Sequence, residues 1–170
     1  MGRDEETLYD VLTGRTNVPQ ALIDIMALSL AAVDQWFTDP DLVALLNAIR
    51  DEISKGARVL LVAHSQGNFY ANRAYQLLTS QEQQYVDIVS VAIPTTFVAD
   101  AGEHLNATND SIINAVRSSV GALLGNCLNA NTSNESYLHH GVLATYLNGD
   151  DCGSKFRGQM IDAVRNTTRP

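Results

Sequence analysis

Ser65 is the residue of this chain whose surroundings most clearly favour chemistry. It lies in the segment RVLLVAHSQG (58–67), directly after the apolar run 59–63 and directly before a helical pattern that begins at Asn68. A strand that turns sharply into a helix at a serine places the hydroxyl beside unpaired helical N–H groups, which stabilise developing negative charge. Ala63 and Gly67 are small enough to let the strand and the helix approach each other. The spacing therefore predicts a nucleophilic serine that carries out acyl transfer.

The sequence around this serine resembles a known signature. Ala63-His64-Ser65-Gln66-Gly67 is similar to the Gly-x-Ser-x-Gly motif of α/β-hydrolases, with alanine in place of the first glycine, as in small bacterial lipases without a lid. The resemblance covers roughly residues 40–165 and preserves the family order of serine, acid and histidine. It continues in three downstream segments: Val91–Pro94, Thr108–Asp110, and His140–Val142 ahead of Tyr146-Leu147. The resemblance implies a serine esterase or lipase.

A serine hydroxyl needs a base to take its proton, and the base needs a third group that orients it. Of the four histidines, His64 belongs to the turn itself and His104 has the sequence context of a surface residue. His139 and His140 lie in the expected region, after the last strand and before a helix. In the hydrolases that this chain resembles, the base is followed six residues later by Tyr-Leu, which implies His140. His139 is the alternative.

Asp110 is the candidate acid. It follows a short strand-like stretch, 104–108, and precedes a helix, which is where the resembling family delivers its carboxylate. An aspartate at this point could instead serve only as a helix N-cap. Asp100 and Glu103, in the loop just upstream, are the fallbacks. The backbone N–H of Gln66 is the expected oxyanion donor, because it follows the nucleophile at the helix N-terminus; a second donor is not identified from the sequence.

Length and composition restrict the classes of function. The 170 residues suffice for one domain, 1–170, with a helical N-terminal part (1–56) and a catalytic part (57–170). The net charge of −8 and the pI of about 4.7 argue against nucleic-acid binding. The longest apolar stretch, Ala21 to Val33, contains Asp24 and is too short to span a bilayer. It also lacks the flanks of a signal peptide, so we expect a buried helix there and no stable membrane insertion.

The elements that must position these residues alternate between strand and helix. Apolar periodicity predicts helices over 18–37, 40–53, 111–124 and 154–164, a helix that begins after Ser65, and another over 142–147, with strands over 59–63 and 85–93. This alternation predicts an α/β fold with a parallel sheet and helices on both faces. The 58 residues before the first of these strands are mostly helical, and residues 7–13 could form only one short strand. We therefore expect a reduced or truncated form of the α/β-hydrolase fold.

The two cysteines, Cys127 and Cys152, flank the candidate histidine and have no metal-ligand spacing. Both lie in polar, loop-like sequence, which favours a disulfide that closes a loop of about 26 residues. A disulfide implies an oxidising compartment, hence an extracellular or periplasmic protein. The alternative is two thiols in a cytoplasmic enzyme.

Together these features predict a hydrolase that cleaves carboxylic esters of short to medium acyl chain and needs no metal or cofactor. Two alternatives stay open: a non-catalytic α/β-hydrolase-like binding domain, and a thioesterase or phospholipase that uses the same residues. The expected partner is a small-molecule ester. Assembly into a homo-oligomer also stays open.

Overall fold

The computed structural model describes residues 39–128, 140–147 and 150–167. The helix predicted over 18–37, the strand considered at 7–13 and the alternative base His139 therefore lie outside the described residues. The described chain begins with helix α1 (Pro40–Ser54), whose N-cap Asp39 accepts hydrogen bonds from the backbone N–H groups of Asp41 and Leu42. Proline at the first helical position has no N–H to leave unsatisfied, so this helix begins where the sequence predicts.

Three parallel strands form the sheet. Strands β1 (Val59–His64) and β2 (Val86–Val91) pair along their whole length, and β2 pairs in turn with the two-residue strand β3 (His104–Leu105). The order in the sheet is β1-β2-β3. Helices α2 (Gly67–Leu77) and α3 (Ser80–Gln83) connect β1 to β2, as parallel pairing of neighbouring strands requires. The described residues thus have the expected α/β class and parallel sheet.

Helices cover both faces of this sheet. On one face, Leu61 and Val86 pack against apolar side chains of α1 and α2. On the opposite face, Leu60 and Val89 pack with residues of the last helix, α5 (Asp150–Thr167), among them Phe156. Successive strand residues point to opposite faces, so the apolar runs in β1 and β2 supply both layers of core.

Two helices differ in length from the sequence-based expectation. Helix α4 (Ser111–Val120) does not continue to residue 124, because Gly121 adopts a left-handed conformation (φ 84°) and its N–H bonds to the carbonyl of Arg117. Glycine adopts this conformation without the steric cost that a Cβ imposes, and it ends the helix there. Helix α5 begins at Asp150, four residues before the predicted start, and therefore includes Cys152. Between α4 and α5, Val142–Leu147 forms a π-helix.

Candidate active site

Ser65 lies at a sharp turn between β1 and α2. Its φ of 52° places it in the left-handed region, which is unfavourable by about 1–2 kcal/mol for a residue with a Cβ. Hydrogen bonds hold it there: its N–H donates to the carbonyl of Val91 on β2 (3.1 Å), and its carbonyl accepts from the backbone N–H (3.1 Å) and from Nδ2 (2.9 Å) of Asn68. Asn68 is fully buried, and its Nδ2 also donates to the carbonyl of Val91 (3.0 Å). The neighbouring strand thus fixes the strained serine.

The small residues around the serine do not share one explanation. Ala63 is buried, in agreement with the close approach that the sequence predicts. Gly67, however, is exposed, and apart from its chain neighbours and the backbone of its own helix, no described atom lies within 4 Å of a Cβ built on it. Close packing of strand and helix therefore does not account for this glycine, and that part of the sequence-based interpretation was wrong.

Ser65, His140 and Asp110 form a chain of hydrogen bonds. The Nε2 atom of His140 lies 2.8 Å from the Oγ of Ser65, and its Nδ1 atom lies 2.8 Å from the Oδ2 of Asp110. Asp110 is fully buried and the His140 side chain is 15 % exposed. Because an ionised carboxylate only accepts, Nδ1 carries the proton and Nε2 has a lone pair directed at the serine hydroxyl. This is the arrangement in which an imidazole can take the proton of a serine.

Asp110 is a helix N-cap and also contacts His140, so the N-cap position does not exclude the candidate role as the acid. It is the N-cap of α4, where its Oδ1 accepts a hydrogen bond from the backbone N–H of Ile113 (2.9 Å). Its other oxygen, Oδ2, faces His140. The helix N-terminus thus orients the carboxylate and favours its negative charge.

Asp100, one of the two fallback candidates for the acid, has contacts elsewhere, and so does His104. Asp100 accepts hydrogen bonds from the backbone N–H groups of Ile88 (2.5 Å) and Gly102 (2.7 Å), and so supports the connection between β2 and β3. Burial raises the pKa of Asp100. The ring of His104 donates from Nε2 to the carbonyl of Leu124 (3.2 Å). Within the described residues, the carboxylate brought to His140 is that of Asp110, rather than that of Asp100 or Glu103.

His64 contacts the candidate base. Its Nε2 donates to the backbone carbonyl of His140 (3.0 Å), and the centroids of the two rings are 5.0 Å apart. Burial, and secondly the charge that His140 carries when protonated, lower the pKa of His64. The lowered pKa favours the neutral form of His64, and the contact of its Nε2 with the carbonyl anchors the backbone of His140. No local pattern in the sequence indicated this contact.

Tyr146 is a second residue whose part in the site the sequence did not reveal. Its hydroxyl donates to the Oδ2 of Asp110 (2.6 Å) and accepts from the backbone N–H of Ala107 (3.1 Å). The side chain is fully buried, and burial together with the charge of Asp110 raises its pKa strongly. In the sequence, Tyr146 is notable only as the tyrosine of the Tyr-Leu pair six residues after His140, which carries the resemblance to hydrolases. The π-helix, which begins two residues after His140, brings both side chains to one carboxylate.

Gln66 occupies the position expected of the oxyanion donor. It is the N-cap of α2 and has helical dihedral angles (φ −58°, ψ −28°). The first N–H groups of a helix have no carbonyl partner within it, so the N–H of Gln66 can donate to an anionic oxygen near Ser65. We identify no second donor in residues 39–128, 140–147 or 150–167.

Cys127 and Cys152 lie at disulfide distance, with a sequence separation of 25. Their surroundings differ from the expectation of polar loops, because both are almost fully buried in the apolar cluster that also contains Val89 and Tyr146. Cys127 reaches this cluster through a bridge of its backbone to Ala107, next to β3, and Cys152 lies on α5. The cystine thus joins the two ends of the segment that carries His140.

The described part of the chain contains no group of three or more His, Cys, Asp and Glu side chains arranged to hold a metal ion. A cavity of about 150 Å³ lies between β2 and α5, and four carboxylates line it, those of Asp87, Asp100, Glu103 and Asp162. The site of Ser65 is separate from this cavity.

In the same described residues, no helix is both long and apolar enough to cross a membrane.

Comparison with known proteins adds no relative. No protein-family model matches the sequence, and neither the search of curated proteins nor that of solved structures found a match.

Proposed function

We propose that this chain is a serine hydrolase with a reduced α/β-hydrolase fold that cleaves carboxylic esters. The observation that supports this function is the chain of two 2.8 Å hydrogen bonds from Ser65 through His140 to Asp110. A surface serine needs no such partners, whereas a nucleophilic serine requires both. The strained backbone of Ser65 is a second support, because such strain concentrates at functional sites.

The reaction proceeds in two halves. Ser65 Oγ attacks the ester carbonyl carbon while His140 Nε2 takes its proton, and the N–H of Gln66 donates to the oxyanion that forms. Asp110 holds the imidazolium. The C–O bond to the alcohol then breaks, and His140 returns the proton to the leaving alcohol. In the second half, a water molecule gives a proton to His140 and attacks the acyl carbon. The bond between that carbon and Ser65 Oγ then breaks, His140 returns the proton to Oγ, and the carboxylic acid leaves.

The proposed substrate is a small-molecule ester of short to medium acyl chain. The connections from β1 to β2 and from β2 to β3 contain only α2, α3 and a short loop, so neither provides a large lid over Ser65. The cystine supports an extracellular or periplasmic location, since disulfides persist in oxidising compartments.

A non-catalytic binding domain is the second candidate function. It is favoured by one observation, namely that a single oxyanion donor, Gln66, is identified in the described residues. Loss of one donor typically costs about 10²–10³ in rate, so the second donor matters for an enzyme of this type.

Hydrolysis of p-nitrophenyl esters from acetate to decanoate separates these functions. We expect turnover by the wild-type protein, turnover near background for Ser65→Ala, and unchanged turnover for Ser118→Ala, whose exposed hydroxyl donates to the carbonyl of Asn114 within α4. Parallel assays with acyl thioesters and phospholipid vesicles test the thioesterase and phospholipase alternatives. Folded wild-type protein that hydrolyses none of these substrates would overturn the proposal.

A further inference from the structure

We propose that Tyr146 is a positioning residue of this site, which acts on His140 through the carboxylate of Asp110. This inference rests on the proposed hydrolase function. The phenolic oxygen lies 2.6 Å from Asp110 Oδ2, and the same carboxylate oxygen lies 2.8 Å from His140 Nδ1. One oxygen atom therefore accepts from both the tyrosine and the histidine.

The direction of the tyrosine hydrogen bond follows from its partners. An ionised carboxylate can only accept, so the phenolic O–H donates to Asp110. The backbone N–H of Ala107 donates to the phenolic oxygen from 3.1 Å, which leaves the hydroxyl proton directed at the carboxylate. Tyr146 and Ala107 are both fully buried, and water is therefore not available as a substitute donor.

This bond divides the negative charge on the Oδ2 atom of Asp110 between two donors. The carboxylate is fully buried and accepts from Ile113 N–H at Oδ1 and from Tyr146 and His140 at Oδ2. The tyrosine draws negative charge that would otherwise act on the imidazolium, and it also holds the carboxylate oxygen that faces His140 Nδ1. Removal of the hydroxyl should therefore stabilise protonated His140 and loosen its alignment with Ser65.

Other charged or titratable groups also face these residues. His64, on β1, lies 5.0 Å from the His140 ring and 6.1 Å from the Tyr146 ring between centroids. Arg117, on α4, acts on Tyr146 through its positive charge. Because both groups are retained in a Tyr146 variant, a change in the titration of His140 reports on the removed hydroxyl.

Tyr146→Phe tests this role, with Tyr70→Phe as the matched control. Tyr70 also donates its hydroxyl to a carboxylate, that of Asp39 (3.1 Å), at the N-terminus of α1. The readout is an NMR titration of the histidine rings, with His140 assigned from the His140→Gln spectrum. We expect the His140 midpoint to rise by about half a pH unit or more in Tyr146→Phe and to stay unchanged in Tyr70→Phe. The kcat for an ester substrate should fall several-fold while KM changes little.

A second variant keeps the hydroxyl and covers the case in which Tyr146→Phe does not fold. Genetically encoded 3-fluorotyrosine at position 146 is a stronger donor of nearly the same size, so the His140 midpoint should move down instead of up. A midpoint that is the same in wild type and in the variants that fold would overturn the inference. The NMR titration does not depend on turnover: a wild type that hydrolyses no ester would refute the hydrolase, while the titration would still decide the coupling of Tyr146 to His140.

Discussion

Removal of the cystine should lower ester turnover at temperatures where the domain is still folded. Cys127 lies beside β3, Cys152 lies on α5, and the segment between them carries His140. In the double variant Cys127→Ser/Cys152→Ser this segment is held only by non-covalent contacts. The 2.8 Å hydrogen bond between His140 Nε2 and Ser65 Oγ then depends on the packing of the π-helix (142–147) against α5.

The magnitude follows from the length of the closed loop. For the sequence separation of 25, the chain-entropy model gives about 3.5 kcal/mol at 25 °C. For a chain of this size, each kcal/mol corresponds to roughly 2–4 °C in Tm, so the double variant should melt about 7–14 °C lower. Because both sulfur-bearing side chains are buried, the serine hydroxyls left in their place add a polar cost, and a Cys127→Ala/Cys152→Ala variant separates that cost from the loss of the bond.

The assay compares ester turnover and far-UV circular dichroism over the same temperature range, for oxidised protein, protein in dithiothreitol and both double variants. We expect turnover of the variants to fall at temperatures where their helical signal equals that of the wild type. Turnover and ellipticity that decline together, with Tm within about 2 °C of the wild type, would refute the reasoning. Alkylation without reductant checks the premise, because two added alkyl groups in the intact mass would mean that no bond is present.

Three further predictions concern the residues around Ser65. His140→Ala should lower kcat by several orders of magnitude, with Asp110→Asn less severe because the acid orients the base, and His139→Ala much milder; equal losses from the two histidine variants would contradict the choice of base. The pKa of His64 in the folded protein is lowered below its ordinary 6.5, so the unfolded chain binds a proton at this ring more readily than the folded chain does. The stability that neutral His64 contributes is therefore fully present above pH 6.5 and is lost as the pH falls through the lowered pKa. Between neutral and acidic pH, the free energy of unfolding measured in urea should therefore fall less for His64→Gln than for wild type. The same dependence of this free energy on pH in both proteins would refute the prediction. EDTA should leave turnover unchanged, and inhibition that Zn²⁺ reverses would contradict a mechanism that needs no metal ion.

The sequence predicted the local elements well where a residue type dictates the backbone. Pro40 begins α1, the apolar runs of β1 and β2 form adjacent parallel strands, and a helix follows Ser65 within two residues. The sequence did not predict the end of α4, because periodicity continues past Gly121 and only the left-handed conformation of that glycine stops the helix.

The site was less accessible to sequence reasoning because its remaining contacts join distant parts of the chain. The hydroxyl of Tyr146 meets a carboxylate 36 residues away, and the ring of His64 meets a carbonyl 76 residues away. Neither contact has a spacing that a local pattern could reveal. The burial of Cys127 likewise depends on the bridge to Ala107 and on the packing of α5, whereas Gly125 and Asn126, which precede it, are typical of an exposed loop.

Labelling by a fluorophosphonate tests the central claim most directly, because the reagent reacts with a serine only when a base activates it. Intact mass spectrometry of the folded wild-type protein should reveal one adduct per chain, and peptide mapping should place it on Ser65. Ser65→Ala and His140→Ala should both stay unlabelled, and Ser118→Ala should label at the wild-type rate. Folded wild-type protein that takes up no label, or an adduct on a different serine, would contradict the assignment of Ser65 as the nucleophile.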